Sequence, residues 1–442
     1  MSLSYLPSCL SCWFRSFADH LHARSAARLL VLCFGILFAS RRRTVTSWFR
    51  AAGITTDFRA GYTTVAAVGR RTQSLASRAL AVAETVLPPG RLTVAIDDTP
   101  TPRYGRCVEG AGIHHNPTPG PAGEAFVYGH VFVMLAAIAK HPRWGTTAWP
   151  LWSQLYIRKA DIDQLPEKRQ RLFRTKLELA AEQLRWLKTW AGRQASSIWV
   201  LADGGYAKRP FLRAAREQGI VVVSRLRKDA ALWSVPPSVR RPNQRGPMPT
   251  YGKERIDLAK RAGQKRGWEQ VECVQYGKRV VKTIKTFVAT YRPAGGAIRV
   301  VLVQEEAGWL PFFCTEPAAT VVEVLEGAAD RGSIEQTNKD VKEVWGAGQQ
   351  QVRNVDANEG AFNLNGWMYS MVEAWAWEKE EKELVDRSAS PWDEEERRPS
   401  HAEKRKALQR EVLREEIEAV LEAGSDPRRF RQLAEKLLQQ AT

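Results

Sequence analysis

Two runs rich in β-branched residues, each stopping on an acid, constrain this chain most. Residues 92–96, Leu-Thr-Val-Ala-Ile, alternate with the period-two pattern of a strand and run straight into Asp97-Asp98. Residues 197–202 repeat the pattern and stop on Asp203. Between them lie a further strand candidate at 127–136 and a long helical stretch at 167–193, and another strand follows near 220–224. Strands and helices in alternation spell an α/β sheet. An acid at a strand end is usually a cap or a turn residue, so these acids gain meaning only in combination.

The flanks differ in charge. The chain has 442 residues and a formal net charge of +18, enough length for two or three domains and a surplus that suits a polyanionic partner, with nucleic acid the first candidate. Residues 1–90 carry eleven arginines, no lysine and three acids. There, an apolar helix-like run ends at Ala39, Arg41, Arg42 and Arg43 follow, and Thr44 can cap a second helix. That spacing fits a helix-turn-helix or a plain helical bundle equally well. Residues 225–285 are the most basic block, sixteen cations against five acids, with strand-like alternation in the second half and Pro236, Pro237, Pro242 and Pro247 in a loop. Residues 373–396 reverse the sign, with ten acids and three bases, and open a charged helical tail.

The eleven-residue apolar run at 29–39 is too short to span a bilayer, and three arginines stand where a signal-peptide cleavage site would be, so the reading is no membrane segment and no secretion. Six scattered cysteines suit a reducing cytoplasm. Cys9 and Cys12 with His20 and His22 lack the spacing of a zinc site. His114, His115 and His130 read first as structural histidines, and Trp268 as core or interface material.

The third acid lies on a helix. Arg331, Glu335, Asn338 and Lys342 fall, at helical periodicity, on one polar stripe about 60° wide, while Ile334, Val341 and Val344 supply an apolar stripe for packing. Carboxylates from two strand ends and one helix can converge on a pair of hard divalent cations, the arrangement that in-line phosphoryl displacement needs. Arg331 and Lys342 would hold the anionic backbone.

These residues resemble the DDE transposases of bacterial insertion sequences, in the branch whose third block reads Tyr-x2-Arg-x3-Glu-x6-Lys. Arg331-x3-Glu335-x6-Lys342 has that spacing. Cys314-Thr-Glu-Pro before it and Trp345 to Arg353 after it fit the same block, while Asp97-Asp98-Thr99 and Asp203-Gly-Gly-Tyr206 fit the first and second blocks. The resemblance covers about residues 28–375. It departs at position 328, where Ala328 replaces the signature tyrosine. Adjacent strand residues face opposite sides, so only one of Asp97 and Asp98 can serve the metal pair. Periodicity does not choose. The family's acid directly precedes the threonine, which points to Asp98, with Asp97 in reserve.

The resemblance implies an α/β fold: a ribonuclease H-like mixed sheet with helices on both faces, a basic antiparallel β insertion, and helical N- and C-terminal regions. The expected divisions are a DNA-binding region at 1–90, the core in two parts at 91–224 and 311–376, the insertion at 225–310 and the tail at 377–442. The expected activity is cutting and joining of transposon ends, with Asp98, Asp203 and Glu335 as catalytic residues holding two Mg²⁺ ions, Mn²⁺ able to substitute. Arg331, Lys342, Asn338, Arg41, Arg42 and Arg43 would contact DNA. The expected partners are double-stranded DNA, as terminal inverted repeats and target, and at least one more copy of the chain. Two rivals stand beside it: a catalytically inactive DNA-binding derivative, and a ribonuclease H-like nuclease or resolvase without strand transfer.

Overall fold

In the computed structural model, which describes residues 7–115, 124–191, 195–239, 246–388, 392–394 and 397–422, the two acid-ended runs are neighbouring parallel strands. Five helices come first: α1 (Ser8–Ala18), α2 (Ala23–Phe38), α3 (Val45–Ala51), α4 (Arg59–Gly69) and α5 (Thr72–Glu84). Then follow β1 (Gly90–Pro102), β2 (Gly112–His115), β3 (Phe126–His141), β4 (Gly145–Tyr156), the single turn α6 (Lys159–Ile162), α7 (Lys176–Ala191), β5 (Ala195–Ala202), α8 (Arg209–Glu217) and β6 (Val221–Arg225). Two short strands, β7 (Leu232–Trp233) and β8 (Arg255–Ile256), and α9 (Leu258–Gly263) lead to β9 (Glu269–Gln275), β10 (Lys278–Tyr291), β11 (Gly296–Glu305) and β12 (Gly308–Cys314). The rest is helical: α10 (Val321–Asp330), α11 (Gly332–Glu343), α12 (Val355–Ala376), α13 (Glu381–Leu384) and α14 (His401–Glu422). Pro242 and the last twenty residues of the expected tail lie outside the described residues.

The strands form one mixed sheet in the order β2-β3-β1-β5-β6-β12-β11-β10-β7-β8, with β4 also on β3 and β9 also on β10. β1, β5 and β6 are parallel and the other pairings antiparallel. The core order β4-β3-β1-β5-β6 with helices on both faces is the ribonuclease H-like arrangement. The basic antiparallel insertion interrupts the core in sequence between β6 and α10 and extends its sheet in space, because β12 pairs with β6 and carries β11 and β10 outward.

Side chains of β1 alternate between two apolar layers. Val94 and Ile96 join the larger layer, built with α1–α5, α7, α8 and α12, while Ala95 joins a smaller layer with Leu201, Val223, Val324, Leu325 and Ile334. The N-terminal helices are packed on the core: α4 crosses α12 so closely that a Cβ on Gly69 would lie 1.7 Å from the Asp356 carbonyl oxygen, and one on Gly360 2.0 Å from that of Val65. Thr44 caps α3 as its position suggests, its Oγ1 accepting from the Ser47 amide at 3.1 Å.

Two elements differ from the sequence reading. The helix expected from residue 167 starts only at Lys176, because Thr175 and Glu178 cap it and Arg171 is drawn instead to Asp356 and Glu359. β4 was not foreseen. Pro150 sits inside it at a register shift opposite Leu135/Ala136, on an edge strand where a missing N–H is tolerated. Its open edge is closed by α12: Asn363 bonds both the amide and the carbonyl of Ser153, Glu359 accepts from the Leu155 amide, and Trp367 donates to the Leu151 carbonyl. This explains why α12 is buried along nearly its whole length despite its polar residues.

Candidate active site

The parallel register sets the first two acids side by side. Ile96 is opposite Ala202, and the next residues along are Asp97 and Asp203. Ala95 and Leu201, two residues earlier on each strand, both face the smaller apolar layer, so alternation turns Asp97 and Asp203 to that same face. Pairing with β3 agrees: Asp97 lies opposite Met134, which is in the smaller layer, and Asp98 opposite Val133, which is in the larger.

Helix α11 packs on the face that Asp97 shares. Ile334 is fully buried there, and the Thr337 hydroxyl donates to the Ala148 carbonyl at 2.8 Å. The polar stripe read from the sequence therefore meets Asp97. Arg331 Nη2 is 3.6 Å from Asp97 Oδ1, while its Nη1 is 2.8 Å from Glu335 Oε1, so one guanidinium bridges the two acids. Asn338, buried, approaches Asp97 Oδ2 with its amide nitrogen at 3.4 Å. Lys342 is half-buried within electrostatic reach of Asp97, and burial lowers its ammonium below the ordinary range. Burial raises the Asp97 carboxyl to about 6; Arg331 opposes that rise, and Asp98 and Glu335 add to it.

Asp98 faces the other way. Its carboxylate pairs with Lys176 Nζ at 2.5 Å, at the start of α7, and accepts from the Tyr206 hydroxyl at 3.3 Å. Burial pushes the Tyr206 phenol well up, and Asp98, Asp97 and Asp203 reinforce it, so Tyr206 stays a neutral donor. Sequence reasoning missed Lys176. The signal available was Thr175-x2-Glu178, a helix start that places the next side chain at the sheet's end. Tyr206 lay in the quoted Asp-Gly-Gly-Tyr block without a role.

Asp203 is exposed and caps the short turn after β5, accepting from the Gly205 amide at 3.4 Å. Glu335 is exposed too, its side chain at 60%. Among the described residues no three His, Cys, Asp or Glu side chains are gathered closely enough to hold a metal ion. The donor chemistry nevertheless suits a hard cation. The face presents carboxylates, Asn338 Oδ1 is buried without a hydrogen-bond partner, and a cationic guanidinium already sits between Asp97 and Glu335. Asp203 and Glu335 are held by one amide and one arginine, contacts that rotation about their own side-chain bonds releases.

The other candidates separate. Arg41 and Arg42 are exposed. Arg43 is folded against the turn after α11, its amide donating to Gln349 Oε1 at 2.9 Å and its Nη1 to the Glu343 carbonyl. His130 is buried between Arg103 Nε and the Glu109 carbonyl, with its imidazole pushed down to about 3, which leaves it neutral and structural. Trp268 lies beneath the Lys285 ammonium, which also bonds the Arg261 and Gln264 carbonyls at the end of α9. Among the described residues no helix is long and apolar enough to cross a membrane.

No curated protein matches the chain in sequence. A family model described as DDE superfamily endonuclease matches residues 16–286, which takes in β1, β5 and both strand-end acids and stops short of α11. With more than half its length matched, and with acids ending two adjacent parallel strands of a ribonuclease H-like sheet on the face where a glutamate-bearing helix packs, the chain belongs to the DDE superfamily endonucleases.

Proposed function

We propose that this endonuclease is a DNA transposase that cuts element ends and joins them to target DNA, with Asp97, Asp203 and Glu335 as its metal-holding carboxylates. One observation carries the reading: Asp97 and Asp203 share a face of the sheet, and the Arg331–Glu335–Asn338–Lys342 stripe of α11 is turned to that face. The sequence motif favoured Asp98, but the Lys176 and Tyr206 contacts engage that carboxylate on the opposite side. Asp98 is then a positioning residue that fixes the end of β1.

A pair of Mg²⁺ ions bound by these acids would activate the attacking oxygen and stabilise the leaving one. The chain's own side chains do the rest. Arg331 and Lys342 neutralise the phosphates flanking the scissile bond, and Asn338 holds Asp97 in place. Exposed cations of the basic block, among them Lys253, Arg255, Lys260, Lys265 and Arg266, extend the positive surface along the duplex, with Arg41 and Arg42 a second patch. A second copy of the chain would hold the second end.

The test is Mg²⁺-dependent nicking and joining of duplexes that carry the element's terminal repeats. Wild type should both cut and join, and Glu335→Gln should do neither. Cutting without joining would leave a ribonuclease H-like nuclease. Binding without cutting would leave an inactive DNA-binding derivative.

A further inference from the structure

Helix α14 sends one cation into the interior. Arg405 is 5% exposed, and its three nitrogens donate to the carbonyls of Ile36, Leu37 and Ala39 at the end of α2 and to the carbonyl of Val344, the residue that ends α11. The bonds to Val344 and Ala39 are 2.6 and 2.7 Å long. The last carbonyls of a helix have no partner within it and carry the negative end of its dipole. Two such ends therefore meet on a single guanidinium. Among the described residues no carboxylate pairs with it, and burial, helped by Arg43, lowers it to about 9.

Docking a tail does not require this. α14 already buries Ala407, Leu408 and Val412 against the core, and a desolvated cation is costly where apolar packing is not. What a planar fork adds is direction, because it meets two helix ends well only at a defined mutual angle. The residues around Val344 are pinned accordingly. Trp345 is fully buried with the Arg405 guanidinium 4.7 Å from its ring centre, and its indole donates to His401 Nε2 on α14 at 2.7 Å. From the other side Arg103, just past β1, donates to the Gly348 and Gln350 carbonyls. Glu335 and Lys342 lie on the helix so held, and a tilt at its end moves both.

We infer that Arg405 is a positioning residue through which the C-terminal helix fixes the direction of α11, and with it the reach of Glu335 and Lys342 toward Asp97. Its effect on cutting rests on the transposase reading.

The test uses the full chain with three variants: Arg405→Lys, which keeps the charge and loses the fork, Arg405→Gln, which sheds the buried charge, and Gln409→Leu. Gln409 donates from α14 to the Leu37 carbonyl at 2.6 Å, so its loss weakens the seat on α2 alone. Hydrogen exchange over residues 341–350 reports the end of α11, where the Val344 and Ala347 amides bond the Asp340 and Val341 carbonyls. Nicking of the terminal-repeat duplex, at saturating DNA and Mg²⁺, is read well below each variant's melting midpoint, so that every molecule is folded. Both Arg405 variants should exchange about tenfold faster there and nick about ten- to a hundredfold more slowly while binding the duplex as wild type does, and Gln409→Leu should match wild type in all three. Wild-type exchange or wild-type nicking in a folded Arg405 variant, equal losses in Gln409→Leu, or failure of both Arg405 variants to fold would overturn the positioning role. Absence of nicking by wild type would instead overturn the transposase reading, with the exchange result still judging the clamp.

Discussion

Asp97 and Asp98 are neighbours in the chain and feel each other's charge, yet their side chains take partners from two different regions of the molecule. Asp97 looks toward α11 and meets Arg331, Asn338 and, through Arg331, Glu335. Asp98 looks toward α7 and is satisfied by Lys176 and Tyr206. On one side a charge-rich face raises the carboxyl to about 6 through burial; on the other a half-exposed ion pair and a phenol hydroxyl hold the carboxylate. The difference teaches that in a strand the chemical role of an acid is set by parity, which no inspection of composition reveals.

The sharpest way to break this comparison is mutational. Asp97→Asn, Asp203→Asn and Glu335→Gln should each lower Mg²⁺-dependent nicking by about a thousandfold or more, the scale of losing transition-state stabilisation worth several kcal/mol. Asp98→Asn should cost about ten- to a hundredfold, in the range of residues that orient ligands without holding the ion. If Asp98→Asn is inactive while Asp97→Asn still cuts, the two sides have been assigned the wrong way round.

A second, smaller effect sharpens the α7 side. Lys176→Met should reduce nicking about tenfold by leaving Asp98 without its cation. The double variant Asp98→Asn with Lys176→Met should be no worse than the poorer single one, because both changes remove the same contact. Additive losses would show that Lys176 acts elsewhere.

The smallest effect is on stability and its pH dependence. The Asp97 carboxyl is raised from its ordinary 3.8 to about 6 in the folded chain, so the stability it contributes is fully present below about pH 4 and is lost as the pH rises through about 6. In metal-free buffer, Asp97→Asn should therefore gain on wild type between pH 4 and pH 7, by on the order of 3 kcal/mol at most. Denaturant melts of both proteins across that range check it. A gain that is the same at every pH would mean that the carboxyl titrates as an ordinary one.

How much of this was legible in the sequence depends on which periodicity was at work. The stripe on α11 was legible because 3.6-residue spacing fixes relative directions: Ile334 and Val341 are buried, and Arg331 and Asn338 reach Asp97, as the angles required. Alternation in β1 told only that Asp97 and Asp98 part company. Ala95 and Ile96, their partners in parity, are both apolar and buried, so neither face announces itself. β4 was hidden by Pro150, a residue that argues against a strand unless a helix is known to cover the edge. The start of α7 was misread because apolar spacing continues upstream of Thr175, while the capping pair Thr175 and Glu178 decides where the helix begins.

The closure of β4 by α12 has a consequence for how the chain is made. The strand is complete by residue 156, but the side chains that cap its ladder, Glu359, Asn363 and Trp367, emerge from the ribosome some two hundred residues later. Until then the nascent sheet presents an unguarded border to any neighbouring strand. Copies of the gene interrupted before codon 355 should consequently yield aggregates, and a chaperone that shields β-edges should matter most during synthesis of the basic block.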